Sequence, residues 1–293
     1  MLIGVDFSNA VIKAGIVEDG RVLRSIVADT PNGAEPPEIL DTIARVVGAL
    51  SSKPDAVGIA IPGEVNTDGR CWRLPNTRGF EGVRIAQEVS RRIRCPIAVE
   101  NRATTAALAE QLYGHGRRHQ TFLLVSLETG IGGGLVIGHQ LYPGSNGFGA
   151  EIGHICVDSS LDAPLCACGQ RGCVEAFAGT RAVLRKFHEL GGKASELSTV
   201  ATSARRAEWI GVLSFETMGR ALGRALATVQ NFLDLGALVF AGSTAQHFDL
   251  IEPFVREELR LKSFAPPLAE VPLLVSELGE NAGVIGAAHL TTL

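Results

Sequence analysis

Three thiols and one imidazole stand close together in the segment GHICVDSSLDAPLCACGQRGCVE: His154, then Cys166, Cys168 and Cys173. Thiolate sulfur and imidazole nitrogen are donors that zinc takes. Cys3His is a closed tetrahedral set with no position left for water, which marks a structural ion rather than a catalytic one. In a reducing compartment such a cluster binds metal more often than it forms disulfides. Gly169 and Gly172 supply the tight turns needed to fold three sulfurs around one ion. The bland alternative is a reduced cluster without metal, and His154 is too distant for spacing alone to make it a ligand. Cys71, Cys95 and Cys156 are scattered and read as ordinary small buried residues.

These side chains need elements to hold them. Residues 2–7 (LIGVDF) and 11–17 (VIKAGIV) alternate as strands, and Asp19-Gly20 turns the chain back into RVLRSIV. Apolar residues at 39, 43, 46, 47 and 50 share one helical face of 36–50. A buried strand at 56–61 stops at Pro62-Gly63. A helix at 81–94, a strand at 96–100 and an Ala-rich helix at 103–112 follow. The second half opens on a strand pair at 121–127 and 132–138, turning near Gly138-His139. Helices near 180–190 and 214–233, a strand at 237–241, a helix near 247–261 and a last helix at 281–291 complete the chain. Two lobes that each begin with a meander and continue with alternating helices and strands predict an α/β architecture around a central cleft. The boundary falls near 114–119. It gives a small lobe over 1–115, with the helix at 281–293 packing back on it, and a large lobe over 116–280 holding the zinc site.

The 293 residues are 46% hydrophobic and 20% charged, the balance of an ordinary globular protein. A net charge of −4 argues against a nucleic-acid partner. No apolar run is long enough to span a bilayer, and MLIGVDFSNAV has no basic segment ahead of its apolar residues, so the reading is cytoplasmic, without membrane contact.

The cysteine segment through GCVEAFAG resembles the signature of the ROK family of sugar kinases and sugar-responsive repressors, G-E-x-G-H followed by C-x-C-G-x-x-G-C-x-E. AIPGEVNTDG is similar to the family's P-G-x-V-D-x-x-G, RLPNTRGF to its P-N-x-x-G-W/F, and the closing LGENAGVIGAA also matches. The resemblance covers essentially the whole chain. It implies the actin/hexokinase-type fold of two ribonuclease-H-like lobes around a cleft, with a structural zinc. It also implies that Asn76, Asn101, Glu151, His154 and Glu175 contact a hexose. Carboxylates and amides pair with vicinal hydroxyls, and buried groups of this kind reject ligands that leave them unpaired. The zinc-bound histidine would offer its other ring nitrogen to the sugar, its orientation set by the metal.

The parts that serve ATP, magnesium and phosphoryl transfer depart from the family pattern. The first phosphate loop, D-x-G-G-T, reads Asp6-Phe7-Ser8-Asn9-Ala10 here. The magnesium-side Asp6 is kept, but the glycines that let backbone N–H groups approach phosphate are gone, leaving Ser8 as a polar substitute. The second loop, G-T-G-x-G-G-G, begins with Glu128 ahead of Thr129, Gly130 and Gly132, which sets a like charge near a polyphosphate. Where the family carries the Asp that takes the proton from the sugar hydroxyl, in N-D-A-N, this chain has Asn101-Arg102-Ala103-Thr104. A guanidinium has no lone pair for a proton, and losing a positioned base costs about 10²–10⁴-fold in rate. Ala241-Gly242-Ser243 thins the late nucleotide-side glycines.

The implied function is that of a glucokinase-like ROK protein with no intact catalytic base, a pseudokinase that binds a hexose or hexose derivative. The alternative is a working ATP-dependent hexose kinase using Mg2+ and ATP. A third reading is a structural partner subunit. A repressor is disfavoured, because no helix-turn-helix precedes Met1–Asp6. Arg102 is expected to pair with Glu128, Glu151 or Glu175, or to capture an anionic sugar derivative. The resemblance further implies a homodimer or higher homo-oligomer.

Overall fold

The structure, a computed structural model, describes residues 1–75 and 77–292. Asn76, expected at the sugar, lies outside the described residues. Strands β1 (Leu2–Phe7), β2 (Val11–Glu18) and β3 (Arg21–Asp29) form an antiparallel meander. Asp19 and Gly20 turn between the last two strands at φ 46° and 74°, the left-handed pair a tight hairpin requires. Helix α1 (Pro36–Leu50) buries Ile39, Ile43, Val46, Val47 and Leu50, the face its spacing predicts, and β4 (Ala56–Ile61) returns parallel to β1. A short ribbon of β5 (Glu64–Val65) and β6 (Cys71–Arg73) precedes α2 (Ile85–Ile93) and β7 (Ile97–Asn101), which pairs parallel with β4. The helix expected from 81 begins only at Ile85. Gly82 turns at φ 80°, and the Gly82 N–H and Val83 C=O pair instead with the backbone of Cys71. Helix α3 (Arg102–Tyr113) leaves directly from β7.

The second sheet repeats the plan of the first. Strands β8 (Phe122–Leu127), β9 (Ile131–Ile137) and β10 (Gln140–Tyr142) come first, with Gly138 and His139 at the turn. Helices α4 (Glu175–Ala178), α5 (Thr180–Glu189), α6 (Leu197–Arg205) and α7 (Trp209–Leu233) lead to β11 (Ala237–Ala241). Helices α8 (Glu252–Lys262) and α9 (Pro266–Ala269) then lead to β12 (Leu273–Val275). The strand orders are β3-β2-β1-β4-β7 and β10-β9-β8-β11-β12. In both, three consecutive strands are followed by two added in parallel, the alternation expected of an α/β chain. Both α6 and β12 go beyond the spacing-based expectation. Residues 243–250 are a kinked 3-10 segment rather than the start of the helix expected from 247.

The chain divides into two compact units. One comprises 1–120, 134–150 and 277–293; the other comprises 121–133 and 151–276. The division differs from the expected 1–115 and 116–280 chiefly at 134–150, which belongs with the first unit. In that unit the last helix, α10 (Ala282–His289), lies on the sheet over two glycines. A Cβ on Gly4 would stand 1.8 Å from the Val284 carbonyl oxygen, and one on Gly58 1.6 Å from that of Ala287. Glycine at both positions is what lets this helix reach the sheet backbone.

Candidate functional site

In the second unit His154 ends a single 3-10 turn, Ile152–His154. Its Nδ1 lies 3.7 Å from the Cys166 Sγ, and the sulfurs of Cys168 and Cys173 are 3.7 Å apart. One ligand atom from each of the four residues falls within 4.8 Å of all the others. Donors bound tetrahedrally to zinc at about 2.0–2.3 Å are separated by roughly 3.5–3.8 Å along each edge, so the four form a set of the right size. The loop is drawn in by hydrogen bonds from the Cys166 N–H to the Gln170 carbonyl and from the Gly169 N–H to the Cys166 carbonyl. Gly172, at φ 74°, admits no side chain, since a Cβ there would stand 1.7 Å from the Asp158 carbonyl oxygen.

The donor chemistry fits a cation. Burial pushes the Cys173 thiol up to about 12 and also raises Cys166. At Cys168 burial acts in the same direction, but the hydrogen bonds from Gln170, Cys166 and Cys173 outweigh it and the thiol is lowered. Three clustered sulfurs in this setting ionise together only with a positive ion among them. Cys71 is buried as expected, whereas Cys95 is half-buried and Cys156 is exposed, so Cys156 is not a core residue.

Two carboxylates border the cluster. Glu151 brings an oxygen to 4.0 Å from the His154 Nε2, the ring nitrogen away from Cys166. Glu175, the first residue of α4, accepts the Ile131 N–H at 3.0 Å through Oε2, while Oε1 lies 3.7 Å from the Cys166 Sγ. Gly130 is small for this reason, as a Cβ there would meet Glu175 Oε2 at 2.3 Å. The glycine-rich loop after β8 is thereby tied to the cysteine cluster. Glu128, which opens that loop, accepts the Thr180 N–H and hydroxyl through its carbonyl, at 3.1 and 2.8 Å. Its Cγ lies over Gly242, 2.8 Å from where a Cβ would be, and Gly242 itself sits at φ 92°.

In the first unit Asn101 caps α3. Its Oδ1 accepts the N–H of Ala103 at 2.8 Å and of Thr104 at 3.4 Å, and its Nδ2 donates to the Gly63 carbonyl at 3.0 Å. Capping therefore occupies much of the amide expected at the sugar. Ser8 is turned onto its own loop, donating to the Val11 carbonyl at 2.9 Å and accepting the Val11 N–H at 3.1 Å. None of residues 8–10 has positive φ, so the loop does without the glycines of the family pattern.

The fork of Arg102 closes on Asp6, with Nε 2.6 Å from Oδ1 and Nη2 3.1 Å from Oδ2. Asp6 is a partner that the sequence reading, which named Glu128, Glu151 and Glu175, did not include. The sheet explains the pairing: β1, β4 and β7 run parallel, so Asp6 near the end of β1 and Arg102 just beyond β7 emerge at the same edge. In register, Asp6 pairs with Ala60 and Ala60 with Glu100. Burial pushes the Glu100 carboxyl up to about 7, although its Oε1 accepts the Asn101 N–H at 2.6 Å. No motif singled out Glu100, because its burial comes from the sheet and not from spacing.

Two repeats of a three-plus-two strand sheet, with a Cys3His group set beside a glycine-rich loop, define an α/β sugar-kinase fold. The chain belongs to the ROK family, whose model matches residues 2–292. A glucokinase from Streptomyces coelicolor is 31% identical, covering 99% of this chain and 97% of its own length. The xylose repressor of Bacillus subtilis is 26% identical over 98% of this chain and 75% of its own length. The crystal structure of a ROK family glucokinase from Streptomyces griseus, in complex with glucose and AMPPNP, superposes with a TM-score of 0.84 at 32% identity. The match covers 99% of this chain and 98% of that one. No helix among the described residues is long and apolar enough to cross a membrane.

Proposed function

We propose that this protein binds a hexose or hexose derivative on a zinc-stabilised ROK frame and that its phosphoryl-transfer chemistry is suppressed. The observation that carries the second half is the ion pair between Arg102 and Asp6. By the family resemblance, one of these stands where the proton acceptor belongs and the other is the carboxylate that faces magnesium. A carboxylate held by a guanidinium fork is neutralised toward a divalent cation, and the guanidinium takes no proton from a hydroxyl. The sugar would be held by Asn76, the remaining amide N–H of Asn101, Glu151, the Nε2 of His154 and Glu175. Zinc at His154, Cys166, Cys168 and Cys173 would keep that ring in place. Asp6, Ser8, Glu128, Thr129, Gly130, Gly132 and Gly242 would form a weakened nucleotide side. The protein would act in the cytoplasm as a homodimer or larger homo-oligomer, which light scattering at tens of micromolar tests directly.

A second reading is favoured by the relatives, since glucokinases match this chain almost end to end. On it, the protein is an ATP-dependent hexose kinase that loads Mg2+ and ATP. A coupled phosphorylation assay alongside calorimetry with glucose separates the two. Sugar binding with turnover far below about 1 per second supports the first, and ordinary kinase rates of about 1–100 per second overturn it. Arg102→Asp combined with Glu128→Gly should then raise ATP-dependent phosphorylation above the parent.

A further inference from the structure

The segments 155–157 and 172–174 run antiparallel, and Cys156 is bridged to Cys173. Two hydrogen bonds flank this bridge, from the Val157 N–H to the Gly172 carbonyl at 2.8 Å and from the Val174 N–H to the Ile155 carbonyl at 3.0 Å. That pattern makes Cys156 and Cys173 a non-hydrogen-bonded pair. In such pairs the Cα atoms approach to about 4.5 Å and the side chains leave the ladder on the same face. This separation is within the span that a disulfide bridges, about 4.4–6.8 Å. Cys173 is buried in the cluster with Cys166 and Cys168, and Cys156 is exposed. The sequence thus places a fourth thiol, reachable from solvent, directly across the ladder from one member of the metal-binding set. At present the Cys156 Sγ lies 3.4 Å from the Asp158 carbonyl oxygen and 3.8 Å from that of Arg171, so forming the bond requires a turn about its Cα–Cβ bond.

We infer that Cys156 is an oxidative modification site, and that its oxidation captures Cys173 as a disulfide and dismantles the metal centre. The oxidant is a peroxide. Hydrogen peroxide takes two electrons from the Cys156 sulfur, giving a sulfenic acid and one water. The Cys173 sulfur then attacks the sulfenic sulfur, the S–S bond forms, and hydroxide leaves with a proton as the second water. Cys173 is then lost to the metal, and His154, Cys166 and Cys168 remain as three donors of a four-donor set. A dithiol reductant reverses the change by exchange.

This inference rests on the zinc reading of the cluster, and its test keeps the two apart. The full-length protein as purified is exposed to hydrogen peroxide, and three quantities are followed. These are metal release to a chromophoric chelator, the loss of two hydrogens by intact mass, and the linked peptides by mapping without reductant. The expected result is a Cys156–Cys173 peptide that appears in step with metal release, both reversed by dithiothreitol plus zinc. Cys156→Ser, which leaves all four donors intact, should retain its metal and release it at least fivefold more slowly at the same peroxide concentration. Equal release rates in parent and variant would overturn the inference, as would linkage confined to Cys166, Cys168 and Cys173. A metal-free parent that still forms the Cys156–Cys173 peptide would refute the zinc reading alone and leave the modification site standing.

Discussion

Breaking the Arg102–Asp6 pair from either side, and from both at once, isolates the free energy on which the functional proposal turns. The contacts of 2.6 and 3.1 Å form a two-toothed fork, with 27% of the arginine side chain and 12% of the aspartate side chain exposed. Opposite charges about 4 Å apart at an effective dielectric near 20 attract by roughly 4 kcal/mol. Withdrawing two largely covered ions from water consumes about half of that. A net coupling of about 1.5–3 kcal/mol is therefore expected. Arg102→Met leaves a nearly buried carboxylate beside Gly283, whose Cβ would stand 2.6 Å from Asp6 Oδ2. That variant should lose about 2–4 kcal/mol. Asp6→Asn keeps the shape of the side chain and should lose somewhat less. The double variant should lose clearly less than the sum of the two. Urea unfolding of all four proteins at one pH gives the cycle, provided the slopes agree. A coupling below about 0.3 kcal/mol would show that the fork is incidental, and the argument for suppressed chemistry would go with it.

Burial raises Glu100 to about 7, above its value in an unfolded chain, so the folded state holds this proton more firmly. Its neutral form is tolerated at acid pH, and the cost accumulates as pH rises from 4.5 to about 7 and is constant above that. Glu100→Gln should therefore stabilise the protein by about 1–3 kcal/mol at pH 8.5 and by almost nothing at pH 4.5, at about 1.4 kcal/mol per unit. Equal melting shifts at both pH values would contradict this. Zinc is expected at one equivalent per chain in protein purified without added metal, and its removal by a chelator should lower the melting temperature by about 10 °C or more. Less than a tenth of an equivalent in folded protein would end the zinc reading. Gly130→Ala should cost about 1–3 kcal/mol, because its methyl group displaces Glu175 from the Ile131 N–H. Gly48→Ala, with nothing within 4 Å, should stabilise by about 0.5–1 kcal/mol, which gives a control of opposite sign.

The elements legible in the sequence are those whose pattern is their cause. Helix α1 follows from apolar spacing, and β4 and β11 from short continuous apolar runs that end in the sheet centres. Helix α6, LSTVATSAR, was not legible, since its small polar residues give a weak stripe and only Val200, Ala201, Ser203 and Ala204 are buried. The cysteine cluster was legible because few other uses exist for three close thiols. The contact of Arg102 with Asp6 was not, because strand order brings the two together across 96 positions. Cys156 was misjudged for a related reason. Local sequence does not reveal that it faces Cys173 across a ladder.

Glu175 holds the backbone of the glycine-rich loop with one oxygen and stands beside a cluster sulfur with the other. If the cluster holds zinc as proposed, a ligand that grips this carboxylate would change the affinity of the cluster for that ion. By reciprocity the ion would change the affinity for the ligand by the same factor. On the proposed function, partial metal content would divide a preparation into two receptors with different affinities for a sugar, and a titration of the mixture would report their weighted average. An affinity for a sugar would then belong to this protein only at a stated metal occupancy.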